Sequence, residues 1–144
     1  MNPNDTSRKE PIGRLISNIH RSQQKYLSRS LGEYDIGGGG QHSFLKAILH
    51  SPGTTQEQLT CDLKFDKATT ARSVKQLEDA GYIERRTDPG DRRSYLLFPT
   101  NKALEFLPVL QRVLDESNAK MTRDLTDEEK QQLTLLLQKI RLDL

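Results

Sequence analysis

The tetrapeptide Asp88-Pro89-Gly90-Asp91 does most to narrow what this chain can fold into. Pro89 and Gly90 are strong turn formers. The segments on either side, Tyr82 to Arg86 and Arg93 to Phe98, read as short strands. Pro99 removes a ladder donor and ends the second strand, and Thr100 is placed to cap whatever follows. Elsewhere the apolar residues fall at helical intervals. A chain of 144 residues is one domain's worth of polypeptide, so the expectation is a single domain, 1–144, mainly α with a small β-hairpin.

Ile12, Leu15, Ile16, Ile19, Tyr26, Leu27 and Leu31 define an amphipathic helix over 11–31, with Pro11 suited to its first turn. The polar residues before it are expected to be disordered. Gly37 to Gly40 is a flexible joint or a helix-starting turn. Phe44, Leu45, Ile48 and Leu49 share one face of a helix over 41–50, closed by Ser51-Pro52-Gly53. Thr54-Thr55-Gln56-Glu57 has capping-box spacing from Thr54 to Glu57, ahead of a short helix over about 55–62. Asp66 caps a further helix that carries Ala71, Val74 and Leu77 at packing intervals and stops at Gly81. Beyond the hairpin, Ala103, Phe106, Leu107, Leu110, Val113 and Leu114 share a face, with Pro108 expected to kink or delay that helix. Thr126 to Glu129 is a second capping box, followed by a stripe of Leu133, Leu136, Leu137, Ile140 and Leu144.

The stripes of 11–31 and 101–144 are too long for so small a centre to cover. They predict a homodimer built from those helices, the alternative being that they fold back on their own subunit. The centre, 41–100, has the order of a winged helix-turn-helix: stabilising helix, recognition helix, basic hairpin.

The formal net charge of +2 is too mild to prove a polyanionic partner, so distribution decides. Residues 1–31 hold six basic and two acidic side chains, and 64–100 hold eight and six. Arg85-Arg86 and Arg92-Arg93 flank the turn as two doublets. A helix fits the major groove of DNA, and arginines on a narrow hairpin fit the adjacent minor groove. With Ala71, Val74 and Leu77 inward, Lys67, Thr69, Arg72, Ser73 and Gln76 are left outward. Base contacts are expected from Lys67, Thr69, Thr70, Arg72 and Ser73, where Arg72 has the fork that suits guanine. Phosphate contacts are expected from Thr54, Thr55, Arg85 and Arg86.

Residues 65–100, FDKATTARSVKQLEDAGYIERRTDPGDRRSYLLFPT, resemble the recognition helix and wing of the MarR family of bacterial and archaeal transcriptional regulators. The LEDAGYIERR passage and Asp91-x-Arg93 are the most specific features, and the likeness extends over most of the chain. It implies a minor-groove role for Arg93 beside Arg92 and a wing-holding role for Asp91. It also implies a homodimer on a pseudo-palindromic double-stranded DNA operator, acting as a repressor. A small anionic or phenolic effector is implied too, in a cleft between the first helix and the helix-turn-helix, with His20, Arg21, Tyr26, Tyr34 and Arg85 as candidates. Two departures from the family pattern are the Gly37 to Gly40 run and the Phe98-Pro99-Thr100 ending of the wing.

Competing chemistry is thin. The one cysteine, Cys61, excludes an intramolecular disulfide and reads as a small core residue rather than a redox switch. His20, His42 and His50 are too dispersed for a zinc signature. No nucleophile elbow, phosphate-binding loop or dinucleotide fingerprint is present, so neither an enzyme nor a bound cofactor or metal is expected. No run of eighteen apolar residues points to a membrane, and a cytoplasmic location is the default expectation. The remaining alternative is a winged-helix interaction adaptor without DNA contact. Four arginines around a hairpin tip argue against it.

Overall fold

A computed structural model of the chain describes residues 10–37 and 40–144. The expected disordered start at 1–9, and Gly38 and Gly39 of the glycine run, lie outside the described residues. Six α-helices and one hairpin follow in order: α1 Ile12–Leu31, α2 Gln41–His50, α3 Gln56–Leu63, α4 Lys67–Asp79, β1 Ile83–Asp88, β2 Asp91–Pro99, α5 Asn101–Met121 and α6 Asp127–Gln138. A short 3-10 turn, Gly32–Tyr34, follows α1. The mainly helical fold with one small hairpin is the one the sequence predicts.

Helix ends form where side chains or backbone can satisfy the orphan groups. Asp66 accepts from the Thr69 amide at 2.6 Å, and this holds its carboxyl below its ordinary value. Thr126 and Glu129 form a reciprocal capping box. The cap of α3 is Thr55, which accepts from the Gln58 amide at 3.1 Å. It therefore falls one residue later than the Thr54–Glu57 box, because Thr54 is drawn into a bridge with Leu97 of the hairpin. α4 stops in a Schellman turn: the Gly81 amide donates to Glu78 O at 3.0 Å and the Tyr82 amide to Leu77 O at 2.9 Å. Gly81 takes φ +83° there, a conformation in which a Cβ is strained. α5 runs unbroken through Pro108, seven residues in from its start, so the proline does not delay the helix.

One core unites these elements. Leu27 and Leu31 from α1, Ile36, Phe44, Leu45 and Ile48 from α2, Leu59, Val74 and Leu77 from the helix-turn-helix, Tyr82, Ile83 and Leu97 from the hairpin, and Ala103, Phe106, Leu110 and Val113 from α5 are all buried. Phe106 packs between Tyr34 and Tyr82 at centroid distances of 5.0 and 5.3 Å, in tilted geometry that favours aromatic pairs. The Tyr82 hydroxyl donates to Tyr34 O at 2.6 Å, which keeps a buried polar group satisfied. The first turns of α1 and all of α6 stand outside this core. Ile12, Leu15, Ile16 and Ile19 are exposed, as are Leu133, Leu135, Leu136, Leu137 and Ile140.

Two expected core assignments fail. Ala71 is exposed, and Thr70 and Ser73 are buried in its place. The inward face of α4 is Thr70, Ser73, Val74 and Leu77, a true i, i+3, i+4, i+7 stripe, and Ala71, one position past Thr70, falls off it. Cys61 is exposed on α3, not a core residue. Leu59 takes the inward position of that helix.

Candidate nucleic-acid interface

The recognition helix is held to its neighbours by polar contacts that the sequence pattern hides. Thr60 of α3 donates to the Thr70 hydroxyl at 2.9 Å, and Thr70 donates to Asp66 O at 3.0 Å. Thr70 thus joins the two helices of the motif and, fully buried, is not available to a base edge. Ser73 is withdrawn in the same way at 3% exposure. Gln41 at the start of α2 donates to Gln76 Oε1, and Gln41 Oε1 accepts from the Gly37 amide at 3.3 Å. Of the residues expected outward on α4, Lys67, Arg72 and Gln76 are exposed and Thr69 is half-buried, which leaves Lys67, Thr69 and Arg72 of the expected base contacts at the surface. Arg72 lies 3.4 Å from the Thr69 hydroxyl.

The hairpin is anchored at its base and irregular at its tip. Leu97 exchanges backbone hydrogen bonds with Gly53 and Thr54, both at 2.8 Å, so the segment before α3 forms a third, single-bridge edge. Regular antiparallel pairing runs from Ile83 opposite Pro99 to Thr87 opposite Tyr95, and then Asp88 faces Asp91. Arg92, Arg93 and Ser94 are left over as a bulge on β2, which frees and re-aims their side chains. Asp91 Oδ1 accepts from the Arg93 amide at 3.0 Å and closes the bulge, while Asp88 Oδ1 accepts from the Gly90 amide at 2.9 Å across the turn. Arg92 and Arg93 are exposed, and among the described residues neither has a carboxylate within ion-pair reach.

The inner arginine doublet behaves differently. Arg86 is exposed, stacks over Phe98 at 4.0 Å from the ring centroid, and donates to Glu84 at 3.0 Å. Arg85 is turned to the body and paired with Glu78 of α4 at 3.0 Å. Thr55, Gln56 and Glu57 at the start of α3 share a cleft of about 290 Å³ with Asp91, Arg93, Ser94 and Tyr95 of the wing. Of these, Gln56, Glu57, Ser94 and Tyr95 are not among the contacts expected from the sequence, since the register at the wing tip, which brings β2 beside the start of α3, is not written in either segment alone.

The five effector candidates are not gathered into one site. Tyr34 is packed on Phe106, Arg85 is at the wing, and His20 and Arg21 are exposed on α1, where Arg21 bonds Asn18. Tyr26 lines a separate groove with Ser22, Gln23, Ser117, Lys120, Met121 and Arg123, its ring 4.8 Å from the Lys120 ammonium. A larger groove of about 510 Å³ lies between α2 and the long helices. His42, Lys46 and His50 line its α2 side, opposite Gln23 of α1 and Gln111 and Asn118 of α5. Burial, and then the Lys46 charge, lowers the pKa of His42. The i, i+4, i+8 spacing of those three basic side chains is visible in the sequence.

Among the described residues there is no cluster of three or more His, Cys, Asp or Glu side chains that could hold a metal ion. None of the described helices is long and apolar enough to cross a membrane.

A helix-turn-helix with an arginine-tipped wing defines a class of transcriptional regulators, and comparison with known proteins places the chain within it. Residues 40–95 match the MarR family. The HTH-type transcriptional regulator YybA of Bacillus subtilis is 34% identical over 130 residues, covering 90% of this chain and 81% of that protein. A MarR transcriptional regulator from Methanosarcina mazei superposes with a TM-score of 0.83 at 35% identity, over 88% of this chain and 91% of that one. A MarR-family regulator from Listeria monocytogenes, solved with a 26-mer DNA, superposes with a TM-score of 0.83 at 32% identity, over 90% and 86%. The chain belongs to the MarR family: it is a DNA-binding transcriptional regulator of the winged helix-turn-helix type, not an enzyme.

Proposed function

We propose that the protein is a homodimeric, sequence-specific regulator of the repressor type that binds a pseudo-palindromic double-stranded DNA operator. The observation that carries the reading is the exposed Arg92-Arg93 bulge at the wing tip beside the start of α3, whose guanidinium groups form no ion pair among the described residues. Two α4 helices would enter successive major grooves about 10 bp apart. Lys67, Thr69 and Arg72 would meet base edges, and Arg93, with Arg92 beside it, the flanking minor groove. Thr54, Thr55 and Arg86 would hold phosphates, with Asp91 fixing the bulge. That the Listeria relative was solved with a 26-mer DNA supports DNA as the partner. The exposed apolar stripes of α1 and α6 support the dimer, since patches of that extent mark a partner surface. For a small anionic or phenolic effector, the groove of His42, Lys46 and His50 offers one ammonium and two imidazoles on the helix-turn-helix side and amides on the long-helix side.

Selection of bound duplexes from a random-sequence pool at two salt concentrations, with Arg93→Ala alongside, tests the reading. An enriched inverted repeat that the wild type binds and Arg93→Ala binds poorly is expected. Equal weak binding by both, with no enriched sequence, would overturn it in favour of a protein-interaction adaptor.

A further inference from the structure

Within each strand of the wing, successive side chains face opposite ways. Ile83 is buried at the base of β1, and Arg85, two residues further out, points to the same side, toward the body of the protein. Glu84 and Arg86 occupy the other side and pair with each other. Arg85 meets Glu78, which stands in the last turn of α4, and the two side chains keep only 25% and 31% exposure. Arg85 Nε is shut off from solvent and its N–H does not lie along the 3.0 Å contact, so the link is an ion pair more than a linear hydrogen bond. Among the described residues it is the only ion pair that joins two different elements; the others lie within α4, β1, α6 or the chain end.

The same guanidinium reaches β2. Its carbon stands 5.8 Å from the centroid of the Tyr95 ring, and Tyr95 lines the cleft that contains Arg93. A continuous line of contacts therefore runs from the end of the recognition helix, through one half-buried cation, to the edge of the bulge. Without such a tie, a two-stranded ribbon projecting beyond its base is marginally held. We propose that Arg85 and Glu78 form a clamp that sets the angle of the wing to the recognition helix, Arg85 acting as a positioning residue rather than a phosphate or effector contact. This inference rests on the DNA-binding reading above and deepens it.

The sign of one substitution separates the two roles. Removing a carboxylate near a polyanion ordinarily strengthens binding, and it would do so here if Glu78 merely masked a phosphate-contacting Arg85. A clamp predicts the reverse. Affinity for the duplex selected by the wild type is measured across a salt series for wild type, Glu78→Gln, Arg85→Lys, Arg93→Ala and Glu78→Gln/Arg93→Ala, with thermal melting as a fold control. Glu78→Gln is expected to bind about three- to tenfold more weakly, a range set by couplings between contacting residues. Its salt slope stays at the wild-type value, and it causes no further loss once Arg93 is gone. Arg85→Lys, which keeps the charge and loses Nε, is expected to follow Glu78→Gln with an unchanged slope, and it carries the test alone should Glu78→Gln fail to fold. A phosphate contact would instead tolerate lysine. Glu78→Gln binding as well as or better than wild type, or Arg85→Lys binding like wild type, overturns the clamp alone. A wild type that enriches no duplex overturns the DNA-binding reading and the clamp with it.

Discussion

Helices α4 and α6 are nearly the same length, 13 and 12 residues, and each starts on a side-chain cap. α4 carries only Val74 and Leu77 as large apolar residues, yet it buries those two with Thr70 and Ser73. α6 carries four leucines and buries none of its residues. The more apolar helix is the exposed one. α4 packs against α2, α3 and β1, while among the described residues α6 has no comparable neighbours and buries none of its side chains. A stripe of apolar residues states that a helix needs a partner; whether the same chain supplies it is decided by topology.

The largest effect that would sharpen this contrast is expected in α4. Leu77 is fully buried at the junction of the helix-turn-helix and the wing, and Leu77→Ala should cost about 2–5 kcal/mol, the lost transfer energy plus a cavity. Urea unfolding followed by circular dichroism measures it. The size of the loss should not change with protein concentration, since the cavity lies inside one subunit. A cost below about 1 kcal/mol would mean that the site collapses freely and that α4 is less enclosed than its burial indicates.

In α6 the corresponding change acts through association. Leu136 is 62% exposed in the single chain, so Leu136→Glu adds a charge that one folded subunit tolerates and a dimer interface does not. Light scattering should show dimer mass for wild type and monomer mass for the variant. Operator affinity should fall about 100-fold, as expected when two linked reading heads become independent. Dimer mass retained in Leu136→Glu would break the comparison and leave the α6 stripe without its proposed partner.

Much of this contrast was legible in the residues, for local reasons. Asp66, Thr126 and Gly81 announce helix ends because capping is settled within a few residues of chain. The Pro89-Gly90 turn is equally local. The pattern of α4 points to Ala71 as its inward residue where the fold buries Thr70 and Ser73, because threonine and serine are polar on any scale. The burial of Thr70 is made possible by Asp66 O and Thr60, and Thr60 comes from another helix. The bulge at Arg92 to Ser94 was hidden for a similar reason: pairing register belongs to two strands together, and the composition of one strand does not state it. The exposure of Cys61 follows from Leu59 having the better inward position on a helix of eight residues.

The smallest predicted effect lies at the seam between the two regions, where His42 of α2 faces α1 and α5 across the groove. Burial and the neighbouring Lys46 charge lower its pKa in the folded state. The unfolded chain, with an ordinary imidazole near about 6.5, then binds a proton before the folded one does. As pH falls from 7 through that value the unfolded state gains the proton first, so stability declines. The decline ends below the folded pKa, where both states are protonated. His42→Gln should remove this component and leave the acid limb set by carboxylates such as Asp66, whose lowered pKa withdraws its contribution only at more acidic pH. Chemical denaturation of both proteins between pH 5 and 7.5 reads the difference. Salicylate bound against His42 and Lys46 would offset the Lys46 charge and favour protonated imidazole, flattening the wild-type curve. An unchanged curve in the presence of salicylate would count against an anion site in this groove, and a His42→Gln curve identical to wild type would assign the titration elsewhere.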